Sequence, residues 1–192
     1  MKRFIPIVAA IFVLGLILAA CAKPPAKEVN RAHDAVIRAE DDADAVNYAG
    51  NSLIRARDAL ARMQSEADAK RFDAARSFAA EAISAAERAI TDGRTGAARA
   101  RDEAANLVNS LSTPLAETTN ALNAARQVSS LNLDFNALSR DLDSARRSYE
   151  DARQSLAANN YRDAITQGQN VRTLLSGINA RLNEASQAVL RK

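Results

Sequence analysis

The chain has 192 residues, with 26 basic and 23 acidic side chains, one histidine, one cysteine and no tryptophan. A single cysteine excludes an internal disulfide, and one histidine beside one cysteine excludes a zinc centre built from those ligands. The net charge of +3 is not gathered into the basic face that nucleic-acid binding requires.

The first segment reads MKRFIPIVAAIFVLGLILAAC. Lys2 and Arg3 form a basic start, Phe4 to Ala20 carries no charge, and small residues precede Cys21. That is the build of an export signal over residues 1–20. Leu18-Ala19-Ala20-Cys21 resembles the lipobox of bacterial lipoproteins. The resemblance implies cleavage before Cys21, a diacylglycerol thioether on its sulfur and acylation of the new amino terminus. The other reading is an uncleaved anchor, since the apolar run is near the lower limit for spanning a bilayer. Loss of residues 1–20 would remove two basic groups, leaving 24 against 23 acids and a balance of +1. Two or more buried acyl chains hold a protein firmly in a leaflet, whereas one chain does so only marginally. Residues 21–27, with Pro24 and Pro25, read as a stiff tether between lipid and domain. Ala22, following the cysteine, resembles the outer-membrane sorting pattern, with the chain facing the periplasm.

Beyond the tether the pattern is helical throughout. Alanine, the best helix former, supplies 39 of the 172 residues from Cys21 onward, and strand-type alternation is absent. The stripe Val46, Ala49, Leu53, Ala56, Leu60, Met63 and Ala67 steps by three and four. This is the narrow seam of helices packed at shallow angles. Gly50-Asn51-Ser52 predicts a stop and a cap before LIRARDALARMQ, and ADAKRFDAA a polar turn. Thr91-Asp92-Gly93 predicts the end of a first helical unit over residues 28–92. A linking helix follows in residues 93–112. Thr113-Pro114 predicts a cap and a first helical position opening a second unit over residues 113–192. Within it, Asn132 or Asp134 would cap a middle helix and Asn159-Asn160 would make the next turn. One uninterrupted helix is the alternative for residues 121–157, because Ala121, Ala124, Val128 and Leu131 carry a heptad into Phe135.

The second unit repeats the phase of the first. Phe135, Leu138, Leu142, Ala145, Tyr149, Ala152 and Leu156 each lie 89 positions after a member of the Val46 stripe. Phe72, Ala75, Ala79 and Ala82 meet Tyr161, Ala164, Gly168 and Val171 at the same offset, and Ala32 and Ala35 meet Ala121 and Ala124. An internal duplication is the expectation. The resulting fold class is all-α: an elongated helical bundle of two tandem units, with coiled-coil-like packing. Small seam residues bring helix axes close, and Phe72, Phe78, Leu142, Tyr149 and Tyr161 are the expected anchors.

RFDAARSFAAEA resembles the second helix of a tetratricopeptide repeat, and Tyr161 to Val171 repeats it; the tryptophan and Leu-Gly pair of a full motif are missing. More closely, the lipid-bearing cysteine, the prolines, RARDALARM and KRFDAARSFAAEAISAAERAI resemble an alanine-rich bacterial lipoprotein family classed as a domain of unknown function. That resemblance implies an envelope address and tetratricopeptide-like helices over residues 21 to about 92, and no activity.

Chemistry is sparse. His33 lacks a nucleophile and an orienting partner at any telling spacing, and reads as a surface histidine. Glu40 to Asp44 (EDDAD) lacks the glycine and terminal glutamate of a calcium loop and reads as a solvated helix face. Arg57, Arg62 and Glu66 read as local i,i+4 pairs. Gly93 and Gly96 interrupt a helix without following a strand, so they make no phosphate loop. The sequence therefore predicts a non-enzymatic chain without cofactor or metal. Its roles, in order of preference, are a lipid-anchored interaction scaffold docking a protein partner, a spacer or self-assembling coiled coil, and a carrier of an apolar ligand. Cys21, as the lipidation site, is the only site residue it singles out.

Overall fold

The computed structural model describes residues 24–191. Among them are six helices and no strand: α1 Ala26–Asp41, α2 Ala43–Tyr48, α3 Gly50–Asp68, α4 Phe72–Arg126, α5 Phe135–Ala157 and α6 Tyr161–Leu190. The chain divides into two compact units between Gly96 and Ala97, a boundary that falls inside α4.

In the first unit α1, α2 and α3 pack with the amino-terminal part of α4. Pro25 is buried as the residue before α1, and Ala26 N–H donates to the Pro24 carbonyl at 2.9 Å. Helix thus begins inside the stretch expected as tether. Asp42 breaks α1 from α2 and caps the latter, its carboxylate accepting from Ala45 N–H at 2.8 Å. The core is lined with alanine: Ala32, Ala35 and Ala39 of α1 meet Ala56 of α3 and Ala82 and Ala86 of α4. Val36, Leu53 and Met63 supply its larger buried groups. Val46, the first member of the expected stripe, is instead 52 % exposed.

The second unit is built from the rest of α4 with α5 and α6, and its core is different in kind. Leu107, Leu111, Leu122, Leu138, Leu175 and Ile178 fill it, with alanine at only a few positions. Met63, Leu122, Leu138 and Ile178 are the largest of the fully buried side chains among the described residues. Of the expected anchors Leu142 is buried, whereas Phe72, Phe78, Tyr149 and Tyr161 lie half-buried at the edges.

Two expected helix ends do not occur, because α4 runs through both. Each residue of Thr91-Asp92-Gly93 has a role inside the helix. Thr91 Oγ1 donates back to the Glu87 carbonyl at 3.0 Å, and Asp92 accepts from Ser52 Oγ at 2.8 Å. Gly93 is buried where α2 approaches so closely that a Cβ would stand 2.5 Å from Ala45 N. Pro114 also sits within α4 and starts nothing. It removes one backbone hydrogen bond, yet Leu111, Thr118 and Leu122 on either side are buried, and their packing outweighs the lost bond. The expected break near residue 132 is real. The backbone leaves α4 through three-residue turns at Gln127 and Val128, and Asp134 caps α5 by accepting from Ala137 N–H at 2.9 Å. Ala121, Ala124 and Val128 are exposed, so the heptad that would have continued the helix covers no core.

The offset of 89 is visible in several details. Lys70 (φ 59°) and Asn159 (φ 61°) are the described non-glycine residues in the left-handed region, and each ends a helix. Arg71 N–H donates to Glu66 at 2.9 Å and Asn160 N–H to Ser155 at 2.8 Å, the same C-terminal closure. The Ser52–Asp92 hydrogen bond has its positional counterpart in Arg181 donating to Asp141 at 3.1 Å. Ala75, Ala79, Ala82, Ala86 and Ala89 are buried, and so are Ala164, Gly168, Val171, Leu175 and Ile178. The correspondence fails upstream, where Ala32 and Ala35 are buried but Ala121 and Ala124 are exposed.

Candidate functional site

Cys21, the one residue assigned a modification, lies outside the described residues. His33 is half-buried on α1, beside an exposed Asp34. Among the described residues no group of three or more histidine, cysteine or acidic side chains could hold a metal ion. The acidic run Glu40–Asp44 is a helix junction. Glu40 accepts from Arg57 Nε at 2.6 Å across to α3, and Asp42 is committed to its cap. Two of its carboxylates thus have structural partners, and the run is not a uniform solvated face.

The charged pairs expected along α3 are redistributed between elements. Arg57 reaches α1, the Arg62 guanidinium lies 5.9 Å from the centroid of the Phe78 ring on α4, and Glu66 pairs with Arg71 beyond the turn. A cation over a half-buried ring also covers the apolar edge of α4. Hydrogen bonding from Arg71 holds the Glu66 carboxyl below its ordinary value; desolvation opposes this, and the Arg71 charge adds to the lowering. These interactions join neighbouring helices and create no reactive group.

Polar groups in the cores are matched. Asn179 Nδ2 donates to Thr118 Oγ1 at 3.0 Å and Asn170 Nδ2 to Ser148 Oγ at 2.9 Å. Among the described residues no buried side-chain nitrogen or oxygen lacks a partner.

The surface of the first unit has one feature that the sequence reading missed. Ile37, Val46 and Ile54, on α1, α2 and α3, are each at least half exposed. Val36-Ile37 and Leu53-Ile54 held the signal. Adjacent residues on a helix point about 100° apart, so a narrow seam can bury only one of each pair.

Residues 27–105 match the family model of a domain of unknown function, DUF4398. A DUF4398 domain is present. It takes in α1, α2, α3 and the first part of α4, including the alanine-lined core and the three exposed aliphatic side chains. The DUF4398 match begins at Lys27, so Cys21 lies ahead of it. No curated protein and no solved structure matches the chain.

Proposed function

We propose that the chain is a lipid-anchored, non-enzymatic interaction scaffold of the bacterial cell envelope, held through Cys21 to the outer membrane and facing the periplasm. The observation that carries this reading is the sequence Leu18-Ala19-Ala20-Cys21, its cysteine five residues ahead of the first described helix. Among the described residues no helix is long and apolar enough to cross a membrane. In this reading an acyl anchor supplies the attachment, and the helical body supplies surface for a protein partner. Ala22 after the cysteine supports the outer-membrane address.

Self-assembly through the heptads is less well supported. Leu138, Leu142, Ala145 and Ala152 are already buried within the single chain, which leaves that seam without a free face for a second copy. A carrier role finds little support in the depression lined by Glu103, Asn106, Leu107, Ser110, Gln169 and Arg172. It measures about 450 Å³ and is polar apart from Leu107, unlike a site for an apolar ligand. The repeated turn and the shared burial phase support a duplicated helical hairpin, α3–α4 and α5–α6, as the origin of the two units.

The test is the mass and location of the processed chain. The wild-type protein should lose residues 1–20, carry acyl chains on Cys21 and sediment with membranes. Cys21→Ser should abolish acyl labelling. An intact leader with a free thiol would overturn the anchor. Crosslinking in intact cells should then join the anchored protein to a second polypeptide; recovery of the protein alone at native abundance would overturn the scaffold.

A further inference from the structure

The α3–α4 face of the first unit carries charges that its packing does not require. Ser52, Arg55, Glu81, Ser84, Ala85 and Arg88 line a depression of about 230 Å³. The tight turn at Lys70 sends α4 back along α3, and the 2.8 Å hydrogen bond from Ser52 to Asp92 sets their register. Arg55, three residues after Ser52, therefore faces the level of Arg88, four residues before Asp92. Both are exposed, and neither enters an ion pair among the described residues. Glu81 lies two helical turns from Arg88 along α4, about 10 Å away along the axis, so it stands at the opposite end of the depression. Two guanidiniums brought to one level across a helix pair repel each other, and Asp92, one turn beyond Arg88, accepts from Ser52 and forms an ion pair with neither.

The second unit serves as an internal control. It has the same left-handed turn and, at the corresponding positions, a different cross-helix polar pair, Arg181 with Asp141, yet Ser144 and Gly177 stand 89 positions after Arg55 and Arg88. The helical hairpin forms there without either cation, so the pair is not a condition of the fold. Guanidinium is the side chain best shaped for carboxylate and phosphate oxygens, which it grips with two parallel hydrogen bonds. Ser84, on α4 between Glu81 and Arg88, adds a hydroxyl donor.

We infer that the α3–α4 depression binds an oxyanion, a carboxylate or a phosphate group, held by Arg55 and Arg88 with Ser84 as a third donor. This rests on the scaffold reading and gives the partner a chemistry: an acidic group presented to the first unit. The test uses small anions, so its failure leaves the crosslinking result standing, and a failed crosslink leaves the anion site standing.

Full-length protein is titrated with inorganic phosphate, and separately with N-acetylglutamate, at constant ionic strength in chloride, while backbone amide shifts are followed. The expected result is a saturable shift centred on residues 84–88. It should be weakened at least about tenfold in Arg55→Gln and in Arg88→Gln, as loss of a charged hydrogen bond requires. Arg172→Gln, in the second unit, should leave it unchanged, and helical circular dichroism shows whether each variant is folded. Saturation by phosphate alone supports the site and identifies a phosphorylated partner group; saturation by both anions supports it and identifies an acidic side chain. Linear shifts with both anions, or wild-type affinity in both arginine variants, overturn the proposal.

Discussion

Gly93 and Gly168 are both buried glycines inside helices, but different neighbours hold them. A Cβ at Gly93 would meet the backbone of α2, 2.5 Å from Ala45 N and 2.6 Å from its Cα; at Gly168 it would meet Leu107 Cδ2 at 2.8 Å. Backbone cannot step aside cheaply, whereas a leucine can change its rotamer. Alanine also favours the helix over glycine by about 1 kcal/mol. Gly93→Ala is expected to destabilise the chain by about 1–3 kcal/mol in denaturant titration, as overpacking does. Gly168→Ala should fall within about 1 kcal/mol of wild type, because the two effects oppose each other. Glu66 gives a residue-scale prediction in pH. Its carboxyl is held low by Arg71, so the ion pair contributes fully above the ordinary carboxylate range and is lost as pH falls through Glu66's own lowered value. An NMR titration should place Glu66 below the usual glutamate value, and Arg71→Ala should return it there.

At the scale of elements, the sequence was most legible where a turn had no competing contact. ADAKRFDAA and Asn159-Asn160 were evident because polar residues interrupt the seam, and the backbone reverses at Lys70 and Asn159. Thr91-Asp92-Gly93 and Thr113-Pro114 misled because their residue types suit helix ends. Their partners, Ser52 and Ala45 in one case and the leucine core in the other, come from elsewhere in the chain. The break at Asp42 was legible in principle as an aspartate cap inside an acidic run, but the solvated-face reading hid it. Arg55 and Arg88 could not be paired from sequence, since their meeting depends on the register of two helices. Because Pro114 interrupts α4 without ending it, Pro114→Ala should restore the bond to the Ser110 carbonyl. A gain of about 1–3 kcal/mol is expected, read as a higher denaturation midpoint.

For the molecule as a whole, the contrast between the two cores has an energetic meaning. Burial of an alanine removes little apolar surface, and a leucine removes far more at about 25 cal/mol per Å². The first unit depends on close approach and helix propensity, while the second depends on hydrophobic bulk. Hydrogen exchange should therefore show the amides of α1 and α3 opening at lower free energy than those of α5 and α6. Equal protection in both would mean that close backbone contact compensates fully for the missing side-chain volume. The two units accordingly hold two solutions to one packing problem, the first within the DUF4398 match and the second largely outside it.

The continuity of α4 also decides where the chain can be cut. Proteases act on exposed, extended peptide, and the boundary at Gly96–Ala97 offers only helix. Among the described residues the longest segment outside helix is residues 127–134, which follows Arg126 and lies inside the second unit. A nick there would strip α5 and α6 from the leucine face of α4 and leave the first unit's helices whole. Such a fragment would carry an uncovered apolar surface, and cellular quality control would meet it as a misfolded protein.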